Sequence, residues 1–241
     1  MSTPFFSLIL PVHNEEDRLP GALDKAEAFF ATQPFSVEIL VVENGSQDRT
    51  LEIARQYAQR LPYVRVFHEE RRGKGLAVQR GMMEAKGEYR FFADVDYSMP
   101  IDQVVQFLPP LLLDSQVTIA SREAKGAVRY GEPRYRHLIG RVFNTLVRWF
   151  ALPGLQDTQC GFKCFRGDIA DAVFPLQTIT GWTFDVEVLY IARLMGYRIQ
   201  EVPVPWYYNG NSKVRVMKDS LRMFSDLLAI RRNARQGLYQ H

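Results

Sequence analysis

The chain has 241 residues, enough for one large domain or two small ones, and its hydrophobic content of 46% and charged content of 24% are typical of folded globular proteins. This composition excludes disordered, collagen-like and low-complexity chains. The formal net charge is +3, but residues 122–163 and 198–235 each carry eight Lys or Arg against three acidic residues. These basic regions indicate phosphate groups or an anionic lipid surface as a partner, with a solvated mixed surface as the alternative. We expect no nucleic-acid partner.

Short apolar runs alternate with helical patterns over the first 120 residues. Runs rich in β-branched and aromatic residues predict strands at 5–12, 37–42, 64–67 and 89–93. Helices are predicted at 48–61 and 75–85, and a third helix begins at Pro100, because a first turn tolerates the missing N–H of proline. Repeated strand and helix predict an α/β fold with a doubly wound, mostly parallel sheet.

The second half of the chain is less regular. We predict a loop at 121–136, helices at 138–152, 185–195 and 213–234, and a strand at 199–204. The helical segments 138–152 and 213–235 combine bulky apolar side chains with Arg and Lys, which is typical of helices that lie in a membrane interface. Packing of either helix against the sheet is the equal alternative.

Cysteine content and hydropathy indicate in which cellular compartment the protein resides. Cys160 and Cys164 are too few for a disulfide framework, and the four histidines form no zinc-binding pattern with them. The apolar run at 5–12 has no basic residue before it, unlike a signal peptide, and no stretch approaches the roughly 20 apolar residues that cross a bilayer. We therefore expect a cytoplasmic protein whose membrane contact is peripheral.

Polar residues follow each of the first four predicted strands, at 13–15, 43–46, 69–74 and 94–96. Ligands of doubly wound sheets bind beyond the carboxyl ends of the strands, so we expect a site at this edge. Asp94 and Asp96 directly follow a strand, and strand alternation directs both carboxylates to the same side. Adjacent carboxylates repel unless a cation lies between them, which predicts Mg²⁺ or Mn²⁺. Taken alone, such a pair would more often be a turn and a helix N-cap before Pro100, and the polar residues at the same edge favour the metal site.

The segment 71–75 is rich in glycine and precedes a predicted helix. Its glycines permit close backbone approach, Lys74 supplies a positive charge, and a helix N-terminus favours an anion. The segment lacks the Ser or Thr of a P-loop and the third glycine of a dinucleotide fingerprint. It predicts a phosphate contact without specifying the nucleotide.

Five motifs occur in order: LPVHNEE at 10–16, VENGSQDRT at 42–50, RGKGLA at 72–77, DVD at 94–96 and DTQCGFK at 157–163. Together they resemble glycosyltransferase family 2, most of all the dolichyl- and polyprenyl-phosphate glucose and mannose synthases, over residues 5–215. The resemblance implies a GT-A fold, a Rossmann-like doubly wound sheet with flanking helices. It also implies a catalytic domain at 1–212, with a nucleotide-sugar half at 1–120 and an acceptor half at 121–212, followed by a basic amphipathic helix at 213–241.

The resemblance also implies roles for individual residues. Contacts to the nucleotide are expected from Pro11, Asn14, Glu15, Glu43, Ser46, Lys74, Asp94 and Val95. Ligands of Mg²⁺ or Mn²⁺ are expected to be Asp94, Asp96 and Ser98. Catalytic roles are expected for Asp94, Asp96, Arg122 and Asp157. Contacts to the sugar or the acceptor are expected from Arg122, Arg129, Arg134, Arg136, Gln159, Trp182, Asp185 and Glu187.

Two departures from the family pattern bear on the donor. Glu43 replaces the usual aspartate beside the base, so the sequence does not fix the base, and Ser98 replaces a glutamine found in some mannose-transferring members. The expected reaction is inverting transfer of glucose from UDP-glucose to a dolichyl or undecaprenyl phosphate at the cytoplasmic membrane face, with GDP-mannose as the alternative donor.

Other interpretations stay open at this stage. A polysaccharide or small alcohol acceptor would need a general base, for which Asp157 and Asp185 are the candidates. A non-catalytic nucleotide-sugar-binding protein is the rival of another class, and the intact Asp94 and Asp96 argue against it. A membrane-protein partner or a homo-oligomer would be compatible with either function.

Overall fold

The computed structural model describes residues 3–96, 98–114, 116–210 and 216–240. Within them the strands are β1 (Phe6–Val12), β2 (Val37–Glu43), β3 (Val64–His68), β4 (Tyr89–Ala93), β5 (Val117–Ser121), β6 (Val128–Tyr130), β7 (Phe162–Arg166), β8 (Ile199–Pro203) and β9 (Pro205–Tyr207). The helices are α1 (Leu19–Phe30), α2 (Thr50–Arg60), α3 (Lys74–Glu84), α4 (Arg134–Phe150), α5 (Gly167–Val173), α6 (Phe184–Leu194) and α7 (Val216–Arg235). Short 3-10 helices occupy Ile101–Phe107 and Phe174–Leu176.

Seven strands form one sheet in the order β3-β2-β1-β4-β7-β5-β8, and β6 pairs with β9 in a separate two-stranded ribbon. β7 runs antiparallel to both β4 and β5, whereas the other pairings in the sheet are parallel. The predicted α/β fold with a mostly parallel sheet is confirmed. The strand order reverses at β1, between β2 and β4, and such a reversal opens a crevice at the carboxyl edge of the sheet.

Helices cover both faces of the sheet, and the alternation of side chains along each strand supplies both cores. In β1, Leu8 and Leu10 pack with α1, α2 and the first 3-10 helix, whereas Ile9 packs with residues of α3 and α6 on the other face. α4, α5 and α7 also contribute to this second core. Burial on both faces explains why β1 is an almost continuous apolar run.

α7 packs one face on the protein. Met223, Leu227 and Ile230 are buried in the core that α6 also lines, whereas Phe224 and Leu228 on the opposite face remain exposed. Phe224 meets Phe150 of α4 edge to face at 5.9 Å, so the two helices are neighbours. Packing against the protein is thus observed for one face of this helix, and contact of the other face with a membrane stays a prediction. Residues 213–215 and 241 of the predicted C-terminal helix lie outside the described residues.

Some predicted elements differ from those observed. The segment after Pro100 forms a 3-10 helix rather than an α-helix, and Pro109 and Pro110 follow closely enough to prevent a longer helix. The predicted loop 121–136 contains β6 and the first turn of α4. Sequence patterns missed α1, β7 and α5. None of the described helices is long and apolar enough to cross a membrane.

Candidate active site

A cavity of about 630 Å³ opens at the carboxyl edge of the sheet, where the strand order reverses. It is lined by residues from the ends of β1, β4 and β5, the start of α3, and α4, α6 and α7. The residues with expected roles that line it are Pro11, Glu15, Lys74, Asp94, Val95, Asp96, Ser98, Arg122, Gln159, Trp182 and Asp185. The predicted site edge and the cavity therefore coincide.

Asp94 follows β4 and forms an ion pair with Lys74, whose Nζ lies 2.6 Å from Asp94 Oδ1. Burial would lower the pKa of Lys74, but the negative charges of Asp94, Asp185 and Asp96 raise it above its usual value, so the ammonium stays protonated. Gly161 lies directly against this carboxylate, since a Cβ at that position would be 2.0 Å from Asp94 Oδ2. Only glycine fits there without displacing Asp94.

Asp96 lies beside Asp94 at the cavity wall and is held by Ser98. The backbone N–H of Ser98 donates to Asp96 Oδ1 over 2.9 Å, and the Ser98 hydroxyl adds a second hydrogen bond. Burial and the charge of Asp94 raise the pKa of Asp96. Ser98 thus donates hydrogen bonds to Asp96, and its expected role as a metal ligand stays a prediction.

The donor atoms at this wall suit a hard divalent cation. Mg²⁺ is usually held by one or two carboxylates together with substrate phosphates and water, and Asp94 and Asp96 supply two carboxylates that repel one another. Among the described residues no cluster of three or more His, Cys, Asp or Glu forms an all-protein metal cage. The arrangement fits an open site that phosphate oxygens complete.

Asp185, at the start of α6, forms a second ion pair with Lys163 of β7, at 2.7 Å, and both side chains are buried. Lys163 Nζ also donates to the carbonyl of Cys160 over 2.6 Å. Burial raises the pKa of Asp185, while Lys163 and Lys74 act in the opposite direction. The pair anchors β7 and α6 at the cavity floor.

Arg122 forms another part of the cavity wall and is held by the buried Asp157. Arg122 donates from Nε to Asp157 Oδ2 over 2.6 Å, from Nη2 to Oδ1 over 2.9 Å, and from its backbone N–H to Oδ2 over 2.9 Å. Burial alone would raise the pKa of Asp157, but the guanidinium lowers it to about 2. The guanidinium also lies 5.4 Å from the centre of the Trp206 ring. Asp157 is fully buried and orients Arg122, and the catalytic role expected for Asp157 stays a prediction.

The loops after β1 and β2 are tied together. Asn14 N–H donates to Ser46 Oγ over 3.0 Å, and Asn14 Oδ1 accepts from Gln47 N over 2.8 Å. Glu43 is buried, with its carboxylate hydrogen-bonded to the Ser46 N–H and 2.5 Å from His68 Nδ1. Asn14, Ser46 and Glu43 do not line the cavity as it stands, so their expected nucleotide contacts stay predictions.

Two of the arginines expected to contact the acceptor, Arg129 and Arg134, lie at a second cavity. Arg129 is held by Glu123 and Glu132, each at 2.6 Å, so both carboxylates already neutralise its charge. Arg129 and Arg134 border a second cavity of about 440 Å³, which shares Arg122 with the main one. The side chain of Arg136 lies outside the described part of the structure.

Gln159 and Trp182 line the main cavity, and the Trp182 ring centre lies 5.4 Å from Lys74 Nζ. Glu187, expected on the acceptor side, is instead fully buried, and it accepts hydrogen bonds from the backbone N–H groups of Thr178 and Ile179. This corrects the expectation for Glu187, because a carboxylate engaged in the interior is unavailable to a ligand.

Sequence reasoning missed several residues that shape the cavity. Those that line it without an assigned role include Arg18, Asn44, Trp206, Tyr208, Arg222 and Asp226. Asn44 also accepts from the Gly73 N–H over 2.6 Å and so orients the loop before Lys74. Lys163 ends the DTQCGFK motif, and its position among the apolar residues Phe162, Cys164 and Phe165 was the available signal. The packing of α7 against the cavity could not be predicted from the local sequence.

The Arg122–Asp157 pair predicts a pH dependence of stability. The pKa of Asp157 is about 2 in the folded protein, below the value of about 3.9 in an unfolded chain, so ionised Asp157 stabilises the fold above pH ~4 and this contribution disappears as pH falls towards 2. Chemical denaturation of wild type and Asp157→Asn should show a large difference in unfolding free energy at pH 6 that shrinks at lower pH. A difference that stays constant from pH 6 to pH 2 would contradict the assignment.

Comparisons with known proteins agree with this geometry. The sequence model of glycosyl transferase family 2 matches residues 7–174. A dolichyl-phosphate beta-glucosyltransferase of Drosophila melanogaster is 35% identical over 239 residues, which cover 93% of this chain and 73% of the relative. The Homo sapiens protein of the same name is 33% identical over 244 residues, covering 95% of this chain and 75% of the relative. The Saccharomyces cerevisiae protein is 30% identical, covering 98% and 77%.

A solved structure shares the fold. Glucosyl-3-phosphoglycerate synthase from Mycobacterium tuberculosis, in complex with Mn²⁺, UDP-glucose and phosphoglyceric acid, superimposes with a TM-score of 0.71 at 20% identity, covering 94% of this chain and 79% of that one. The same enzyme with Mg²⁺ and UDP gives a TM-score of 0.70 at 22% identity, covering 94% and 79%. These likenesses confirm the GT-A fold. Together with the match over most of the sequence, they show that the chain belongs to glycosyltransferase family 2.

Proposed function

We propose that this protein transfers glucose from UDP-glucose to dolichyl phosphate or a related polyprenyl phosphate at a membrane surface. Relatives named dolichyl-phosphate beta-glucosyltransferase match nearly the whole chain at 30–35% identity. The observation that carries the proposal is that two kinds of charged group line one cavity. Asp94, Asp96 and Lys74 form one part of the cavity wall and Arg122 forms another, as a diphosphate donor and a phosphate acceptor require.

The donor diphosphate belongs at the wall formed by Asp94, Asp96 and Lys74. Departure of UDP places negative charge on the leaving diphosphate, and this charge must be stabilised in the transition state. A divalent cation held by Asp94 and Asp96 would supply much of that stabilisation. Lys74 is protonated and needs only to turn from Asp94 towards the diphosphate to add its own charge.

The acceptor phosphate belongs at Arg122. Its bidentate pairing with Asp157 fixes the plane of the guanidinium and leaves its remaining N–H donors for an anion. A phosphate monoester has a second pKa of about 6 and is largely dianionic at neutral pH, so it attacks without a general base. Attack opposite the leaving diphosphate inverts the anomeric carbon, and the α-linked glucose of the donor becomes a β-glucosyl phosphate.

The cavity carboxylates argue against an alcohol acceptor, which would need a base. With a pKa of about 2, Asp157 is too weak a base near neutral pH. Burial raises the pKa of Asp185, but its Oδ1 already accepts a hydrogen bond from Lys163. Both candidate bases are therefore engaged in ion pairs that position neighbouring elements.

The lipid would reach the cavity from the side covered by α4 and α7, since Gly140 of α4 and Arg222 and Met223 of α7 line it. α4 exposes an apolar stripe on one face, formed by Tyr135, Leu138, Val142 and Trp149. Exposed arginines recur every seven residues alongside it, at Arg134, Arg141 and Arg148. An apolar stripe flanked by positive charges fits the interface of an anionic membrane.

We place this surface at the cytoplasmic face of the membrane. The two cysteines, Cys160 and Cys164, are free and buried, in keeping with a reducing compartment. The second face of α7 adds Phe224 and Leu228 to the exposed apolar area beside α4.

Substitution of Asp96 tests the reaction. Asp96→Asn should lower transfer of labelled glucose from UDP-glucose into an organic phase containing dolichyl phosphate by about 10²–10³-fold, because the wall would lose one of its two carboxylates. The matched control is Asp102→Asn, at an exposed carboxylate of the first 3-10 helix, which should transfer at the wild-type rate. Assays contain Mn²⁺ or Mg²⁺.

Other results of the same assay would overturn parts of the proposal. Faster labelling from GDP-mannose than from UDP-glucose would replace the donor. Donor consumption that needs Asp96 but labels only a water-soluble product would replace the acceptor. Absence of any donor consumption would favour the non-catalytic binding protein.

Substitution of the stripe on α4 tests the membrane surface. The double variant Leu138→Ser/Trp149→Ser should sediment with vesicles of phosphatidylcholine and phosphatidylserine at least about tenfold more weakly than wild type, because each inserted apolar side chain contributes about 1.5–3 kcal/mol. Leu113→Ser is the control, since Leu113 is 73% exposed but lies before β5, at the opposite edge of the sheet. Equal sedimentation of the double variant and wild type would contradict this assignment.

A further inference from the structure

Tyr239, close to the C-terminus of the chain, is buried. Only 2% of it is exposed, and its hydroxyl donates to Glu187 Oε1 over 2.7 Å. Burial and this hydrogen bond to a carboxylate raise the pKa of Tyr239, so the hydroxyl remains a donor at any physiological pH. A terminal tyrosine of this kind can act as core filler alone or can complete the hydrogen bonding of its partner.

Glu187 holds the chain segment that precedes α6. Its Oε2 accepts from the N–H groups of Thr178 and Ile179 over 3.0 and 2.7 Å, and its Oε1 accepts from the Thr178 hydroxyl over 2.5 Å. The carboxylate is fully buried, and a buried carboxylate depends on such donors because no water replaces them. Tyr239 supplies the remaining hydrogen bond.

The segment 178–183, which we call the wall segment, forms part of the cavity wall. Thr180, Gly181, Trp182 and Thr183 line the cavity, and the carbonyl of Thr180 accepts from the Gly75 N–H over 2.9 Å. Both ends of the wall segment bond to α7: Thr178 Oγ1 accepts from Asn233 Nδ2 over 3.2 Å, and the Thr183 hydroxyl donates to Asp226 Oδ2 over 2.7 Å.

The wall segment packs closely against the start of α3. A Cβ at Gly73 would lie 2.5 Å from the Thr180 carbonyl oxygen, and a Cβ at Gly75 would lie 2.6 Å from Phe184 Cβ. Lys74 lies between these two glycines, and its Nζ is 5.4 Å from the Trp182 ring centre. A shift of the wall segment must therefore move the backbone that carries Lys74.

We propose that Tyr239 is a positioning residue for the donor side of the site: through Glu187 it fixes the wall segment, and through the wall segment it fixes Lys74 and Trp182. The ligand that this arrangement serves is a nucleoside diphosphate sugar, an identification that rests on the proposed function. The C-terminal residues are thus part of the construction of the donor site, although they contribute no group to the cavity.

Tyr239→Phe tests the proposal because it keeps the ring and removes only the hydroxyl. The KM for UDP-glucose should rise about three- to tenfold, while the KM for dolichyl phosphate stays unchanged. Hydrogen–deuterium exchange of the peptide containing Thr178 and Ile179 should accelerate, because both N–H groups donate to Glu187.

Tyr57→Phe is the matched control. The Tyr57 hydroxyl also donates to a carboxylate, Asp24 Oδ1 at 2.6 Å, but it joins α1 to α2 on the other face of the sheet. This variant should lose stability without a change in either KM or in exchange of the wall segment. It separates a local effect on the donor site from a general loss of stability.

The outcomes distinguish failure of this proposal from failure of the proposed function. A Tyr239→Phe protein with a lower melting temperature but unchanged KM values and unchanged exchange would reduce Tyr239 to core filler and overturn the proposal. If the wild-type protein does not use UDP-glucose, the proposed function fails, and calorimetric binding of UDP with Mn²⁺ replaces the KM. Faster exchange of the wall segment then still supports the positioning role, and unchanged exchange overturns it.

Discussion

The site depends on a balance of buried and partly buried charges at the carboxyl edge of the sheet. Asp94, Asp96 and Asp185 interact with the ammonium groups of Lys74 and Lys163, so three negative charges meet two positive ones. Burial, followed by the negative charge of the neighbouring Asp94, raises the pKa of Asp96. Such a site attracts a further cation, and a bound dication would make it positive enough to receive a diphosphate.

Several features of the fold follow from this balance. Antiparallel β7 carries Lys163 to the floor of the cavity, and Gly161 just before it gives Asp94 room. The tight contact between the start of α3 and the wall segment fixes the backbone of Lys74. Elements distant in sequence therefore serve to hold like charges close together, an arrangement that is unfavourable without its partners.

The part of the cavity wall at Arg122 has a different charge arrangement. Arg122 and Asp157 form an ion pair, and the guanidinium N–H groups that this pair does not use are donors that an anion can engage. The two parts of the cavity wall thus suit two anions of different kinds, a diphosphate that needs a cation and a phosphate that needs only donors. α4 and α7 both contribute residues to the cavity lining, and both also carry exposed apolar side chains.

Local sequence predicted much of the fold, because buried parallel strands are continuous apolar runs in the sequence. It also predicted the position of the site, because polar residues directly follow these strands. It missed β7 because Lys163 interrupts the apolar pattern of that strand, and only the partner Asp185, on another element, explains the lysine. It misjudged Glu187 for the same reason, since the donors Tyr239 and Thr178 come from other parts of the chain. Tertiary partners of charged residues leave no local periodicity.

The anomeric configuration of the product tests the central claim, direct displacement of UDP by a phosphate acceptor between these two parts of the cavity wall. The lipid product formed from UDP-glucose and dolichyl phosphate can be purified and its sugar–phosphate linkage assigned by proton and phosphorus NMR. The account predicts a β-glucosyl phosphate. An α-glucosyl phosphate would contradict it, because retention requires either a covalent intermediate or attack from the side of the leaving diphosphate.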